Sequence, residues 1–252
     1  MKAMLKKEFL EILRSYRWLL LPIVFVFLGL GQPISFKLMP QILKNASLPA
    51  GTVIQIPPPA PADVVSSILG QFNQLGVLMV ILVVMGTVAQ EKVSGVAEGV
   101  LVKPLGKGTF LTAKFIVYSF LTVAACLLGL SGGAYYTDIL IGHVDWQQIA
   151  IGALVYLPYL VLVVAITILT STLFSSQVAA GGTALLSVVA ISLLPKLGAW
   201  SNKLFPGALT TQATSLFHAE TLDPVWVPLA FVGFLIFALL AAAWLSLRTQ
   251  EL

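Results

Sequence analysis

Six long apolar stretches constrain the fold of this 252-residue chain more than any other feature of its sequence. Each stretch is long enough to cross about 30 Å of hydrocarbon as a helix, which takes roughly 20 residues. Charged residues make up only 10% of the chain, whereas soluble domains carry about a quarter. Most of the surface must therefore face lipid, and the sequence predicts an all-α membrane protein with six transmembrane helices. We place these helices at residues 18–36, 65–90, 109–134, 147–174, 178–197 and 225–247.

The Lys and Arg residues between the apolar stretches predict how the chain is oriented in the membrane. With the N-terminus inside, ten of the 14 fall on the inner side. Cytoplasmic loops carry the excess of Lys and Arg in membrane proteins, so we predict a cell-membrane protein with both termini cytoplasmic. The inner residues are Lys2, Lys6, Lys7, Arg14, Arg17, Lys92, Lys103, Lys107, Lys114 and Arg248, and the outer ones are Lys37, Lys44, Lys196 and Lys203.

Two longer segments, residues 37–64 and 198–224, are predicted to lie outside the cell. The first contains Pro40 and the proline run 57–59, which favour extended structure and argue against interior helix. The second mixes aromatic and polar residues and is expected to hold short helices at the outer interface. The short uncharged link 174–177 is predicted to be a tight cytoplasmic hairpin between the fourth and fifth spans.

Residues 1–17 are predicted to form an amphipathic helix at the inner interface, ahead of a transmembrane domain spanning 18–252. At about 100° per residue, the apolar side chains fall on one face and the charged ones on the opposite face. Such a helix would lie flat at the boundary of the inner leaflet, with its lysines near anionic head groups. The apolar face comprises Leu5, Phe9, Ile12, Leu13 and Tyr16, and the charged face comprises Lys7, Glu8, Glu11 and Arg14.

Several functional classes find little support in the sequence. The basic residues lie beside the ends of apolar stretches rather than on one basic and aromatic face, so we expect no nucleic-acid partner. The cores of the six stretches lack charged residues, which argues against an ion-coupled transporter. His143 and His218 show no metal-ligand spacing, and no serine has a nearby base in the sequence. We therefore expect no enzyme, no metal and no cofactor in this chain.

Polar uncharged residues within the stretches have two interpretations. Gln71, Asn73 and Gln74 open the second stretch on its outer half, and Thr167 and Thr170 lie in the inner half of the fourth. They either form hydrogen bonds between packed helices, which is the commoner use, or line a translocation path. Four glycines are also expected at close helix contacts: Gly29, Gly31, Gly181 and Gly182.

The loop after the second stretch, residues 91–108, carries the most specific pattern in the chain. An acid and a base are followed by a glycine, an apolar segment, a proline, a base three residues later and a further base in the next helix. Physically this predicts a turn, a short helix and a break before a new helix starts. The residues are Glu91, Lys92, Gly95, Leu101, Pro104, Lys107 and Lys114.

At these positions the chain resembles the permease subunits of type-2 ATP-binding-cassette exporters, the ABC-2 family. It departs from the family pattern at Val96, where Thr is common, and at Lys107, where Arg is usual. The resemblance implies a permease that pairs with a second permease subunit as a homodimer or heterodimer. It also implies that residues 91–108 form a coupling loop, which contacts a separate cytoplasmic subunit that binds ATP and Mg.

The resemblance assigns contacts with the ATP-binding subunit to the N-terminal helix and to the coupling loop. The sequence agrees with this division of labour, because residues 106–109 lack the glycine and Ser/Thr spacing of a phosphate-binding loop. An apolar path suits a lipid, a peptide or a hydrophobic compound as the exported substrate. The implied contacts are Phe9 and Leu13 in the helix, and Glu91, Lys92, Gly95, Leu101, Pro104 and Lys107 in the loop.

Two alternatives stay open at this point. A stand-alone membrane protein with an immunity or signalling role could use the same fold without transport. A secondary transporter would instead follow an ion gradient and ignore ATP depletion.

Overall fold

The computed structural model describes residues 1–45, 58–94, 107–193, 205–218 and 225–249, and every regular element in these ranges is helical. The predicted all-α architecture is therefore confirmed. In chain order the helices are α1 (Lys2–Arg14), α2 (Arg17–Asn45), α3 (Pro61–Gln71), a π-helical turn (Phe72–Gly76), α4 (Val77–Val84), α5 (Gly86–Val93), α6 (Lys107–Leu140), α7 (Trp146–Leu173), α8 (Gln177–Leu193), α9 (Gly207–Phe217) and α10 (Trp226–Thr249).

Five stretches of helix in the described ranges are long and apolar enough to cross a membrane. The sixth predicted span corresponds to α8, which has 17 residues and a length of about 26 Å at 1.5 Å per residue. The chain is thus a multi-pass helical membrane protein, and the count of six spans stays a prediction. The five stretches are Arg17–Ile42, Pro61–Val93, Lys107–Leu140, Trp146–Leu173 and Trp226–Thr249.

The prediction that helix stops before Lys37 and that Pro40 cannot be interior was wrong. Helix α2 continues through Pro22, Pro33 and Pro40 to Asn45. A proline removes one backbone hydrogen bond. In lipid, however, no water is present to bond the other backbone groups, so they keep their hydrogen bonds within the helix. At the other end of the predicted external segment 37–64, α3 begins at residue 61, so residues 61–64 are helical as well.

Helices α2 and α6 pack closely because glycines bring their backbones together. A Cβ on Gly29 would collide with the carbonyl oxygen of Gly129 on α6. The prediction of a close contact is therefore confirmed for Gly29, and it is confirmed for Gly181, where a Cβ would lie 2.5 Å from a methionine sulfur. It was wrong for Gly31 and Gly182, since no described atom lies within 4 Å of a Cβ at either position.

The N-terminal helix differs from its prediction in which face is buried. Helix α1 ends at Arg14, and Tyr16 lies in the turn to α2 with a left-handed φ of 56°. The buried residues of α1 are Met4, Glu8 and Ile12, so the assignment of Glu8 to a solvated charged face was wrong. The carboxylate is buried because Lys114 of α6 and Lys7 of α1 itself contact it, as described below.

Two further predictions agree with the structure. Helices α7 and α8 are separated by a bend at Phe174–Ser176, as expected for a tight hairpin. The second segment predicted to be external holds the short helix α9, as expected, and this helix packs on α7 and α3. Helix α7 also contacts α4, α5, α6, α8 and α10, so it forms the centre of the bundle.

Candidate functional site

Charged side chains from α1, α5 and α6 form one cluster at the end of the bundle where the N-terminal helix lies. Lys114 Nζ on α6 is 3.0 Å from Glu8 Oε2 and 3.0 Å from Glu91 Oε1. Lys7 Nζ is 2.6 Å from the same Glu91 oxygen. It is also 3.0 Å from Glu8 Oε1 and 2.9 Å from Glu11 Oε2. We call these five residues the ion cluster.

The ion cluster is mostly buried, which makes its pairing important. Lys114 is 0% exposed, Glu8 is 1% exposed and Glu91 is 7% exposed. The sequence placed Lys114 among the inner-side charges, near the start of the third predicted span, and the structure adds that its side chain lies inside the bundle. A buried charge is tolerated only when it is paired and hydrogen-bonded, so Glu8 and Glu91 are the reason that Lys114 can lie inside α6.

The pKa values of the partly exposed members indicate that they are charged at neutral pH. Partial burial alone would lower the pKa of Lys7, but hydrogen bonds to Glu91, Glu11 and Glu8 outweigh burial and raise it above its ordinary value. Burial would raise the pKa of Glu11, but the hydrogen bond from Lys7 and nearby positive charges lower it. Both partly exposed members therefore contribute charges that attract each other.

The geometry favours an ion-pair cluster over a metal site. Oxygen atoms of Glu8, Glu11 and Glu91 lie within 4.8 Å of one another, close enough to surround a cation. However, Lys7 Nζ bonds to all three residues and already provides the positive charge at their centre. Glu91 Oε2 is buried and has no hydrogen-bond partner among the described residues, so one oxygen of the cluster is left over.

Two lysines at the ends of the coupling loop contact the ends of other helices. Lys92 Nζ donates to the carbonyl oxygen of Thr172 in the last turn of α7. Lys107 Nζ donates to the carbonyl oxygen of Leu247 in the last turn of α10, at 2.8 Å. A cation at a helix C-terminus satisfies free carbonyl groups and complements the helix dipole. Both ends of the loop are therefore held against the bundle.

A serine on α7 bridges a break in the second span, close to Glu91. The span is interrupted at Met85, between α4 and α5. Ser171 Oγ accepts hydrogen bonds from the N–H groups of Val88 at 3.1 Å and Ala89 at 3.0 Å, and it donates to Met85 O at 2.8 Å. The hydroxyl thus provides hydrogen-bond partners for backbone groups on both sides of the break. The sequence offered only a serine among threonines, so its distinct role was not predicted.

Comparison with known proteins places this arrangement in a family. The sequence profile described as "ABC-2 family transporter protein" matches residues 2–220. The chain belongs to the ABC-2 transporter family. An uncharacterized transmembrane protein of Bacillus subtilis (strain 168), YxlG, is 32% identical over 225 residues, which cover 88% of this chain and 87% of the relative. The family resemblance drawn from the loop pattern is therefore confirmed.

The region matched by the ABC-2 profile contains the whole ion cluster and both loop lysines. Of the residues that the family resemblance assigned to the coupling loop, the structure brings Glu91 into the cluster and places Lys92 and Lys107 on helix ends. Gly95, Leu101 and Pro104 lie outside the described residues. Membrane proteins of the ABC-2 family generally work with an ATP-binding subunit, which makes this end of the bundle the candidate coupling site.

The two apolar residues predicted to contact the ATP-binding subunit line a groove in this ABC-2 protein. Phe9 is 50% exposed and Leu13 is 38% exposed. They border an apolar groove of about 220 Å³ between α1, α2 and α6. Their contact with a partner subunit stays a prediction. Other residues lining the groove are Ile12, Trp18, Pro22, Val117, Phe120 and Leu121.

The polar residues considered for a translocation path have different surroundings in the two halves of the bundle. Thr167 and Thr170 are buried, and their hydroxyls donate to carbonyl groups of their own helix at 2.8 and 3.0 Å. Gln71, Asn73 and Gln74 lie at or beside the π-helical turn; Gln74 is exposed. Asn73 Oδ1 is buried without a described partner. A translocation path along these residues stays a prediction.

Proposed function

We propose that this ABC-2 protein is the permease subunit of an exporter in the cell membrane, with six spans and both termini in the cytoplasm. Four observations support the proposal: the family match, the five long apolar helices, the apolar α8, and the excess of Lys and Arg on one side. The permease acts as a homodimer or heterodimer. It is not itself an enzyme, because a separate subunit binds ATP and Mg and hydrolyses the nucleotide.

The single observation that carries the proposal is how the coupling loop is connected to the bundle. On one side of the loop Glu91 contacts α1 and α6, and Lys92 contacts α7. On the other side Lys107 contacts α10. A displacement of the loop by the ATP-binding subunit is therefore transmitted to α1, α6, α7 and α10 at once. The contacts that transmit it are charged side chains that are either buried or bonded to the last turn of a helix.

The break at Met85 gives the second span a place to bend in response. A continuous helix would move as a rigid rod. Here α5 joins α4 through a turn at Met85, and Ser171 of another helix donates a hydrogen bond to the Met85 carbonyl oxygen. Movement of α5 with the coupling loop would change the shape of the proposed translocation path, which runs beside the outer polar residues Gln71 and Gln74. The apolar interior of the bundle suits a lipid, a peptide or a hydrophobic compound as substrate.

Purification of the tagged chain with its ATP-binding subunit tests the proposal. We expect an ATPase in stoichiometric amount and ATP hydrolysis by the complex in lipid nanodiscs. Replacement Lys107→Met should leave the complex assembled and lower hydrolysis severalfold, because α10 no longer follows the loop. The matched control is Lys6→Met, an exposed lysine of α1.

Three results would count against the proposal. A chain that purifies as a single membrane protein would favour an immunity or signalling role without transport. Efflux that follows an ion gradient and continues after ATP depletion would favour a secondary transporter. Reaction of Lys103 or Lys107 with an impermeant amine reagent on intact cells would contradict the proposed orientation.

A further inference from the structure

A histidine and an aspartate join two helices at the end of the bundle opposite the ion cluster. His218 follows the last residue of α9, and Asp63 lies in the first turn of α3. His218 Nε2 is 2.9 Å from Asp63 Oδ1, and its Nδ1 is 3.1 Å from the carbonyl oxygen of Thr214. These contacts connect the end of a short helix to the outer end of the second span.

Both ring nitrogens of His218 face oxygen atoms that can only accept a hydrogen bond. A backbone carbonyl never donates, and an ionised carboxylate does not donate either. A neutral imidazole has one N–H, so it can satisfy Thr214 or Asp63 but not both. These two hydrogen bonds can both form only when the imidazole carries two protons and a positive charge.

The positions of the two groups on their helices favour the same charged form. His218 lies at the C-terminus of α9, where the helix dipole stabilises a cation. Asp63 lies at the N-terminus of α3, where the dipole stabilises an anion. The side chains are 39% and 55% exposed, so the proton exchanges with outside water. Histidine is the side chain that ordinarily changes charge between about pH 5 and 8.

The same end of α9 borders a cavity that is partly open to the surface. Phe217, which precedes the histidine, packs so closely on α7 that a Cβ at Gly152 would lie 2.6 Å from its ring. Phe217 lines a cavity of about 230 Å³ with residues at the start of α3 and α7, including Val65 and Gln148. Besides Asp63, the titratable groups of the described chain that border this region are Asp145 and His143, which line the same cavity.

We propose that His218 and Asp63 form a proton-operated latch that holds α9 over this cavity. In the protonated state His218 binds both Thr214 and Asp63, and Phe217 stays against α7. In the neutral state one of the two hydrogen bonds is lost together with the charge attraction, so the end of α9 moves away and the cavity widens. The latch depends on no ATP-binding subunit, and it would operate whether or not the chain exports a substrate.

Thiol accessibility of the cavity in the full chain tests the latch. In a Cys126→Ala background, Gln148→Cys places a thiol in the cavity, and Gln147→Cys places a reference thiol on the exposed neighbouring position. The ratio of their reaction rates with an impermeant maleimide removes the common effect of thiol ionisation. We expect the ratio to rise at least threefold between pH 5.5 and 8.

Substitutions then assign the pH dependence to the latch. His218→Gln and Asp63→Asn should each give a high ratio that no longer changes with pH. His143→Gln is the matched control, because this other histidine also contacts an aspartate but is 91% exposed, and it should keep the parent's pH dependence. A ratio in the parent that does not change with pH, or a His218→Gln variant that keeps the change, would overturn the proposal.

A spectroscopic measurement tests the protonation state directly. The chain has two histidines, so ¹⁵N-histidine spectra of the His143→Gln variant report His218 alone. We expect both ring nitrogens to be protonated at pH 5.5, and we expect Asp63→Asn to move the titration midpoint to lower pH. A neutral ring at pH 5.5, or a midpoint that ignores Asp63→Asn, would contradict the latch even if a cavity variant failed to fold.

Discussion

The two ends of the bundle each use charged side chains to hold a helix in place, but they do so in different surroundings. At the candidate coupling site, Lys114 and Glu8 are 0% and 1% exposed within the ion cluster. At the other end, His218 and Asp63 are 39% and 55% exposed. Buried charges must stay paired, because an unpaired one is costly, whereas an exposed pair can separate at little cost. The ion cluster is therefore a permanent connection, and the exposed pair is suited to switching.

The strongest test of this contrast removes the buried cation. Lys114→Met removes the buried cation that Glu8 and Glu91 share and leaves them only Lys7, which is partly exposed. Breaking a buried ion pair by removing one partner costs about 3–5 kcal/mol, and we expect a loss near the lower end of this range in the free energy of unfolding. Chemical denaturation of the purified chain in detergent measures it. Lys2→Met, an exposed lysine at the start of α1, is the control and should change stability little.

A double variant makes the same test sharper. Glu8→Met combined with Lys114→Met removes both members of the most deeply buried pair and leaves the pair of Lys7 and Glu91. Replacing both partners by apolar side chains is far less costly than removing one. We therefore expect the double variant to be more stable than Lys114→Met alone. A double variant that is less stable than Lys114→Met would show that the side chains of the pair stabilise the fold by more than balancing each other's charge.

The second-largest effect is expected from an uncharged buried contact at the same end. Ser171→Ala leaves the N–H groups of Val88 and Ala89 without their acceptor, so we expect a loss of about 1–3 kcal/mol in the free energy of unfolding. Hydrogen exchange at these two amides should increase in parallel. Thr167→Val is the matched control, because Thr167 is equally buried but bonds only to its own helix. Equal losses in both variants would contradict a special role for Ser171.

The sequence was sufficient for features that depend on local physics. Apolar length predicted the helical class, because lipid solvation acts on each segment separately, and the loop pattern indicated the family. The face that α1 buries was not predictable in this way. It depends on Lys114, which is 106 residues from Glu8 in the chain. The signal that the sequence does contain is a lysine within an apolar stretch, which requires a counter-ion.

Ser171 and the latch show a second kind of limit. The hydroxyl of Ser171 bonds to residues 82–86 positions away, and nothing in its neighbouring threonines distinguishes it. His218 and Asp63 are 155 residues apart. In each case the side chain's role is set by a partner that only the folded bundle brings close, so a pattern along the chain cannot reveal it. Apolar periodicity identifies a helix, but it does not identify its neighbours.

The pH dependence of hydrogen exchange is a smaller effect that should distinguish the ion cluster from the His218–Asp63 pair. The pKa of Glu11 is lowered in the folded chain, so its contribution to stability is complete above the ordinary carboxyl value of 4.5 and is lost as pH falls below it. The pKa of Lys7 is raised, so its contribution is complete below the ordinary value of 10.5 and is lost only in strong alkali. Hydrogen exchange in α1 should therefore show the same protection factors at pH 5.5 and 8. A change of protection in α1 across this interval would contradict a permanent connection.

The smallest effect on global stability is expected where the change in conformation is largest. His218→Gln removes an exposed ion pair, which contributes about 0.2–1 kcal/mol to the free energy of unfolding. A histidine that gains a partner when protonated stabilises the fold at acid pH, and this contribution is lost as pH rises. The parent and the variant should therefore differ slightly at pH 5.5 and converge at pH 8 in denaturation experiments. A loss of several kcal/mol at both pH values would mean that His218 holds the bundle together as Lys114 does, and the contrast between the two ends would fail.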